Sequence, residues 1–157
     1  MPSEKKDTAR AKAYALRLLK YRQKSEQEIR RKLLEKGYGP DVIEETIVFL
    51  KKTGLVDDRL FARLWVESRI KRPLGRLRLK RELKEKGIAP AWIDEAFSGI
   101  SGDYDEKETI RGIIRLKRTK MRELDAEKMK ARLFGYLVRR GFPQGAVVEA
   151  ILEEVRE

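Results

Sequence analysis

The densest group of charged side chains in this sequence is a basic run from Arg69 to Arg81. Seven of its thirteen residues are lysine or arginine and none is acidic, although the whole chain carries 26 aspartates and glutamates. Guanidinium groups form paired, charge-assisted hydrogen bonds with phosphates and carboxylates. We therefore expect this run to bind a polyanion or an acidic protein surface.

The spacing within the basic run predicts how its cations are displayed. On a helix Arg76 and Lys80 lie one turn apart on the same side, with Arg72 just before them, while Leu79 and Leu83 face the core. The alternative is a solvated helix face whose long aliphatic stems cover apolar surface. Because no acid interrupts the run, binding is the favoured interpretation.

Composition limits the chemistry that the chain can perform. It has 157 residues with no cysteine and no histidine, and 38 Lys+Arg against 26 Asp+Glu give a net charge of +12. The usual metal ligands, thiolate and imidazole nucleophiles, and the common general base near neutral pH are therefore missing. Acidic pairs such as Asp57 with Asp58 are adjacent, so they do not converge on a helix. We predict no catalytic residue, no metal site, no cofactor and no enzyme.

The apolar pattern gives no sign of export or membrane insertion. No apolar run approaches the length of a membrane span, and residues 1–10 lack the apolar centre of a signal peptide. We therefore expect a cytoplasmic protein.

An internal repeat around Gly37, Gly87 and Gly141 predicts the elements that hold the basic run. The three glycines lie 50 and 54 residues apart, close to the period of helical repeats. Apolar or aromatic residues stand eight and four residues before each glycine, and one, six and ten residues after it. They are Ile29, Leu33, Tyr38, Ile43 and Ile47, then Leu79, Leu83, Ile88, Ile93 and Phe97, then Leu133, Leu137, Phe142, Val147 and Ile151.

This pattern predicts an all-α chain of three tandem three-helix repeats, at residues 1–54, 55–100 and 101–157, with about nine helices. No stretch shows the two-residue alternation of a half-buried strand. Repeats that stack on their neighbours form an elongated body. We expect the first helix to start near Thr8, with Ala9, Ala13, Leu16 and Leu19 at helical spacing, and the second to be capped by Ser25 and Glu28.

The repeat also aligns other basic residues with the run. Arg30 and Arg31 in the first repeat correspond to Lys80 and Arg81 in the second. Cations that precede the three glycines are explained by the exposed carbonyls at a helix end, and these are Lys36, Lys86 and Arg140. A third group either extends a basic track or forms a solvated face, and it comprises Arg111, Arg115, Arg118 and Arg122.

Five segments carry a family pattern. They are residues 15–37 (ALRLLKYRQKSEQEIRRKLLEKG), residues 54–62 (GLVDDRLFA), residues 66–69 (VESR), Gly75-Arg76, and residues 83–88 (LKEKGI). In their order and spacing these segments resemble the RecX regulatory proteins of bacteria.

The resemblance implies a modulator of the RecA recombinase. Such a protein is elongated and curved, lies in the groove of the RecA filament on single-stranded DNA, and limits its ATPase, strand-exchange and coprotease activities. The implied partners are the RecA filament, single-stranded DNA met directly or within the filament, and duplex DNA, with no membrane partner and a monomeric chain. We expect the main contacts from Arg69, Arg72, Arg76, Arg78, Lys80 and Arg81, followed by Arg30 and Arg31.

The alternative function is an autonomous DNA-binding protein that acts through its basic face. Short helices joined by glycine-containing turns also occur in helix-turn-helix proteins. This alternative predicts tight duplex binding by the isolated chain, with an affinity that falls steeply as salt rises.

Overall fold

Helices make up all of the regular secondary structure in residues 2–100 and 104–155, the part of the chain that the computed structural model describes. In chain order they are α1 (Pro2–Tyr21), α2 (Glu26–Glu35), α3 (Pro40–Lys52), α4 (Asp58–Ile70), α5 (Arg76–Glu85), α6 (Pro90–Ser98), α7 (Glu106–Arg118), α8 (Ala126–Arg139) and α9 (Gln144–Glu154). The expected all-α fold of three tandem three-helix repeats is confirmed for these residues. The exact repeat boundaries stay a prediction, and the start of the third, at residue 101, lies outside the described part.

The first helix differs from its prediction in both its start and its buried face. α1 begins at Pro2 rather than near Thr8, and its buried face carries Ala11 and Ala15. Most of the expected set is exposed, namely Ala9, Ala13 and Leu16. Small residues lie on every side of this helix, so a helical period can be drawn through the wrong ones. Proline is favoured in the first turn of a helix, which allows the early start.

The chain divides into two compact units, and the division runs through α4, α5 and α6. One unit combines the chain up to Leu64 with Leu83–Ala96. In it α1 packs against α2 and α3. The core between these three helices includes four of the predicted apolar positions, which are Ile29, Leu33, Ile43 and Ile47, and Tyr38 packs against it partly buried.

The other unit combines Trp65–Glu82 with the chain from Phe97 onward. There α7 and α8 both pack against α9. Their shared core contains all five predicted positions of the third repeat, which are Leu133, Leu137, Phe142, Val147 and Ile151. The five predicted positions of the middle repeat are also buried, which are Leu79, Leu83, Ile88, Ile93 and Phe97. The glycine-centred pattern therefore predicts the core correctly.

The three glycines end the second helix of each repeat in the same way. Gly37, Gly87 and Gly141 all have a positive φ, of 95°, 74° and 87°. The residue after each glycine donates its N–H to a carbonyl near the end of the helix, as from Tyr38 to Leu33 at 3.2 Å. This is the left-handed helix ending that glycine favours because it has no Cβ.

A junction between α2 and α5 lies inside the first unit. The Ser25 hydroxyl caps α2 and also donates to the Lys86 carbonyl at the end of α5, at 2.7 Å. Glu28 completes the capping box and accepts hydrogen bonds from Lys86 Nζ at 2.8 Å and from Arg22 at 2.9 Å. The start of α2 is therefore bound to the end of α5. A helix end has carbonyls without partners inside the helix, and here one of them accepts the bond.

A junction between α5 and α8 repeats this arrangement inside the second unit. Gly75 stands twelve residues before Gly87, as Ser25 stands twelve before Gly37. The Gly75 N–H donates to the Arg140 carbonyl at the end of α8, at 2.8 Å. The Arg140 side chain reaches back to the Pro73 carbonyl at 3.3 Å. The residue before the glycine therefore supplies the acceptor at both junctions.

We predict that Gly141→Ala destabilises the protein more than Gly37→Ala. Both substitutions place alanine at a positive φ, which costs about 1–3 kcal/mol. A methyl group on Gly141 would also collide with the backbone N and Cβ of Arg78, whereas Gly37 has no neighbour within 4 Å. Urea titration should show a further loss of about 1–3 kcal/mol for Gly141→Ala. Equal losses would mean that the α5–α8 junction is not closely packed in solution.

The α2–α5 junction also predicts a pH dependence that runs through Glu28. Burial by itself raises the pKa of Glu28, but hydrogen bonds from Arg22, Lys86 and the Ser25 N–H outweigh it and lower the pKa from 4.5 to about 2. Because the folded pKa lies below the unfolded one, the stabilisation is present above pH 4.5 and is lost as the pH falls towards 2.

Glu28→Gln should therefore lower the free energy of unfolding at pH 7 by on the order of 2–3 kcal/mol. Urea titrations at pH 7, 5, 4 and 3 should show the advantage of the parent protein over Glu28→Gln shrinking steadily below pH 4.5. Glu35→Gln, an exposed change on the same helix, is the control and should follow the parent. If the difference in free energy of unfolding between Glu28→Gln and the parent does not change with pH, Glu28 is excluded as the titrating group.

Candidate functional site

The basic run lies at the connection between α4 and α5. Arg69 belongs to the last turn of α4, and α5 begins at Arg76 with no acidic residue in its first turn. The N–H of Arg76 donates to a carboxylate oxygen of Glu106 at 2.9 Å, and the neighbouring N–H groups serve the α5–α8 junction. A helix start commonly binds anions through such N–H groups. Here they are in use, so an anion at this helix start would have to be met by side chains.

Two of the predicted site residues lie against a single carboxylate. Glu82 is 3.1 Å from Arg78 Nε and 3.6 Å from Arg69 Nε. It also accepts a hydrogen bond from the indole N–H of Trp65 at 3.1 Å, and the Arg69 guanidinium lies 3.3 Å from the centre of the Trp65 ring. We call Trp65, Arg69, Arg78 and Glu82 the Glu82 cluster. It holds two cations around one anion.

The predicted row of Arg76 and Lys80 is half-buried beside aromatic rings. The Arg76 guanidinium lies 5.3 Å from the ring centre of Tyr104 and 6.0 Å from that of Phe97. Lys80 Nζ lies 5.5 Å from the Phe97 ring centre. These are cation–π distances, and such contacts contribute about 0.5–2 kcal/mol. Arg76 and Lys80 therefore have a packing role in addition to their charge.

Arg72 and Arg81 are the exposed cations among the predicted site residues of the run, which also contains the exposed Lys71. Both side chains are open to solvent, and neither forms an ion pair with any residue in the ranges that the structure describes. Arg72 lies in the connection after α4, and Arg81 lies on α5. Of the eight predicted site residues, these two keep their guanidinium groups available to a partner without giving up an internal contact.

The remaining two predicted residues lie on α2 and differ from each other. Arg30 pairs with Glu26 at 2.9 Å and with Glu44 at 2.8 Å, and the hydrogen bond to Glu44 is the main cause of its raised pKa. Arg31 is 3.6 Å from Glu35, and 66% of its side chain is exposed. Arg30 therefore joins α2 to α3, whereas Arg31 is oriented towards solvent.

A groove of about 530 Å³ lies beside these two arginines. Arg30 and Arg31 form part of its wall, together with the apolar residues Leu34, Pro40 and Ile43. Leu34 is 66% exposed and adds apolar surface to the groove. Leu34 stands at none of the glycine-centred core positions, and no other signal in the sequence predicted this groove.

The third basic group is largely occupied by acids of α9. Arg111 pairs with Glu153 at 2.9 Å, and Arg115 pairs with Glu154 at 2.8 Å. Arg118 donates to the backbone carbonyl of Glu154. These contacts hold α7 to α9, so most of the group forms a solvated, ion-paired face. Only Arg122, beyond the end of α7, lies exposed and outside this set of pairs.

The described residues contain no group of three or more acidic side chains that could hold a metal ion. Within the same ranges, no helix is both long and apolar enough to cross a membrane.

The predicted site thus mixes cations that the protein uses internally with cations that it leaves exposed. Glu82 and Glu106 contact the basic run from outside it and were not predicted from the sequence. Glu82 stands four residues after Arg78, a spacing that brings side chains together on a helix, so it could have been found. Glu106 lies 30 residues from Arg76, and no local pattern connects the two.

The fold and this surface define an all-helical repeat protein with a basic face at the connection between the first two helices of its second repeat. Sequence models of RecX match it in two places, the first three-helix domain at residues 11–50 and the second at residues 57–96. The regulatory protein RecX of Amycolatopsis mediterranei (strain U-32) is 34% identical over 152 residues, which cover 94% of this chain and 85% of that relative. This chain belongs to the RecX family of regulatory proteins, and the resemblance is confirmed.

Solved structures agree on the fold. The crystal structure of RecX from Lactobacillus salivarius aligns with a TM-score of 0.80 at 20% identity, covering 95% of this chain and 97% of that one. A second crystal structure of a regulatory protein RecX aligns with a TM-score of 0.82 at 23% identity, covering 94% of this chain and 74% of that one. Both support the helical architecture.

The two arginines of α2 allow a direct test of their different roles. We predict that Arg30→Gln lowers the free energy of unfolding by about 0.5–1 kcal/mol, because it removes a partly exposed bridge between α2 and α3. Arg31→Gln removes the same charge from the adjacent position and should change stability by less than about 0.5 kcal/mol. Urea titration at low salt measures both. Equal losses would show that the Arg30 pairs contribute nothing beyond net charge.

Proposed function

We propose that this protein is a non-enzymatic inhibitor of the RecA recombinase. It binds in the groove of the RecA filament on single-stranded DNA and limits the ATPase, strand-exchange and coprotease activities of RecA. Membership of the RecX family supports this function, and the resemblance of the five family segments points to RecA as the partner. The protein acts as a cytoplasmic monomer without a cofactor, with repeats at residues 1–54, 55–100 and 101–157.

The observation that carries the proposal is the exposure of Arg72 and Arg81. A nucleoprotein filament presents phosphates and protein carboxylates, and guanidinium groups bind both through paired hydrogen bonds. A net charge of +12 attracts the chain to such a polymer. Because neither arginine pairs with a described carboxylate, neither must break an internal ion pair to bind.

The other predicted contact residues differ in how strongly internal contacts hold their side chains. Arg76 and Lys80 keep their aromatic neighbours and add positive charge to the same surface. Arg69 and Arg78 are held by Glu82, and Arg30 is held by two carboxylates. Arg31 is exposed, with one long ion pair, and is the stronger candidate of the two on α2.

The function is tested by adding the chain, well below the RecA concentration, to RecA that hydrolyses ATP on single-stranded DNA. We expect hydrolysis to fall. The double variant Arg72→Glu, Arg81→Glu should raise the concentration for half-inhibition at least roughly tenfold, since one charge-assisted hydrogen bond is worth about 1.5–3 kcal/mol.

The matched control is the double variant Lys120→Glu, Arg122→Glu. It changes net charge by the same amount at two exposed positions that form no ion pair in the described part of the chain. Helical circular dichroism and thermal melting should be the same for all three proteins. Equal loss of inhibition in the two variants would show that net charge, and not contacts of Arg72 and Arg81, causes the loss. Unchanged hydrolysis with the parent chain, combined with tight duplex binding, would favour the autonomous DNA-binding function.

A further inference from the structure

The Glu82 cluster has the geometry of an anion site that is already filled. Both oxygens of Glu82 accept hydrogen bonds, Oε2 from the Trp65 indole at 3.1 Å and Oε1 from Arg78 Nε at 3.1 Å. Arg69 Nε lies 3.6 Å from Oε2, and its guanidinium is stacked on the Trp65 ring, which orients it. Three N–H groups from two helices therefore converge on one carboxylate.

This donor set also suits a phosphate. Arginine forks and an indole N–H are donors only, so the cluster requires an acceptor but does not specify a carboxylate. Two cations face one anion, which leaves a net positive charge. The side chains of Arg78 and Arg69 are 40% and 26% exposed, so a ligand can reach them from solvent. Glu82 itself is only 22% exposed, which fits its place between the two arginines.

We propose that Trp65, Arg69 and Arg78 form a phosphate-binding site for single-stranded nucleic acid, in which Glu82 is a resident competitor. A backbone phosphate replaces the Glu82 carboxylate as the acceptor, and Glu82 moves towards solvent. The proposal deepens the proposed function and rests on it for the source of the phosphate, which is the DNA of the filament. Glu82 thus limits how many arginines of the basic run engage phosphate.

The contrast with Glu28 supports this assignment. Glu28 also collects several donors, but its side chain is 10% exposed and it caps a helix at the α2–α5 junction, so its removal damages the fold. Glu82 neither caps a helix nor lies at a junction. It stands directly after a run that contains seven cations and no acid. Its pairing with that run restrains two arginines which sequence analysis assigns to binding.

Glu82→Gln tests the proposal because glutamine keeps the size of the side chain and an acceptor for Trp65 while it removes the charge. The control is Glu85→Gln, which makes the same charge change on the same helix at an exposed residue without an ion pair in the described ranges. Fluorescence anisotropy with labelled oligo(dT) measures affinity for single-stranded DNA across a salt series. Thermal melting checks that both variants are folded.

We expect Glu82→Gln to bind oligo(dT) at least roughly fivefold more tightly than Glu85→Gln at low salt. Each phosphate contact to a single strand contributes about 0.7 to the slope of log affinity against log salt, so two recruited arginines should steepen it by about 1.4. In the Glu82→Gln background, Arg78→Gln should weaken binding at least roughly threefold more than it does in the parent, because only there is Arg78 released to phosphate.

Equal affinities and slopes for Glu82→Gln and Glu85→Gln would overturn the proposal, and so would the absence of oligo(dT) binding by every variant. Inhibition of RecA by the same proteins is a separate measurement. If the parent inhibits RecA while Glu82→Gln shows no gain on oligo(dT), the phosphate site is wrong and the regulatory function stands. If Glu82→Gln gains affinity while no protein inhibits RecA, the site stands and the regulatory function is wrong.

Discussion

The rest of the structure depends on one kind of hydrogen bond. It joins the start of the second helix of one repeat to the end of the second helix of the following repeat. Every α-helix leaves N–H groups unpaired at its start and carbonyls unpaired at its end. Ser25 and Gly75 donate to the carbonyls of Lys86 and Arg140, so the α2–α5 and α5–α8 junctions satisfy both kinds of group. The second of these junctions also occupies backbone N–H groups at the start of α5.

The excess of positive charge is distributed unevenly because carboxylates compete for it. Acids of α9 occupy Arg111 and Arg115, and Glu26 and Glu44 occupy Arg30. The same competition reaches the basic run through Glu82, which stands just outside it. The net charge of +12 therefore describes attraction at long range, while the contacts of each arginine decide which cations can bind a partner.

Sequence alone predicted the fold well where large side chains recur and poorly where small ones do. Leu33, Leu83 and Leu137 stand at one offset from a glycine, and all three are completely buried. The alanines of α1 lie on several faces, so their helical spacing did not identify the buried set. In the binding surface, sequence found the cations but not their internal partners, since the pairing of Arg76 with Glu106 arises only from tertiary packing. Whether a cation is exposed depends on such distant residues.

The junctions also have a direction. At both junctions the carbonyl at the helix end belongs to the later repeat and the group that donates to it belongs to the earlier repeat, so the two contacting faces are different surfaces. A dimer with twofold symmetry needs a patch that complements itself. Neither face of this contact does so for the bond to the helix-end carbonyl, because two helix starts would leave that carbonyl out and two helix ends would bring carbonyls against carbonyls. The interaction that joins the repeats is therefore unsuited to forming symmetric pairs of chains.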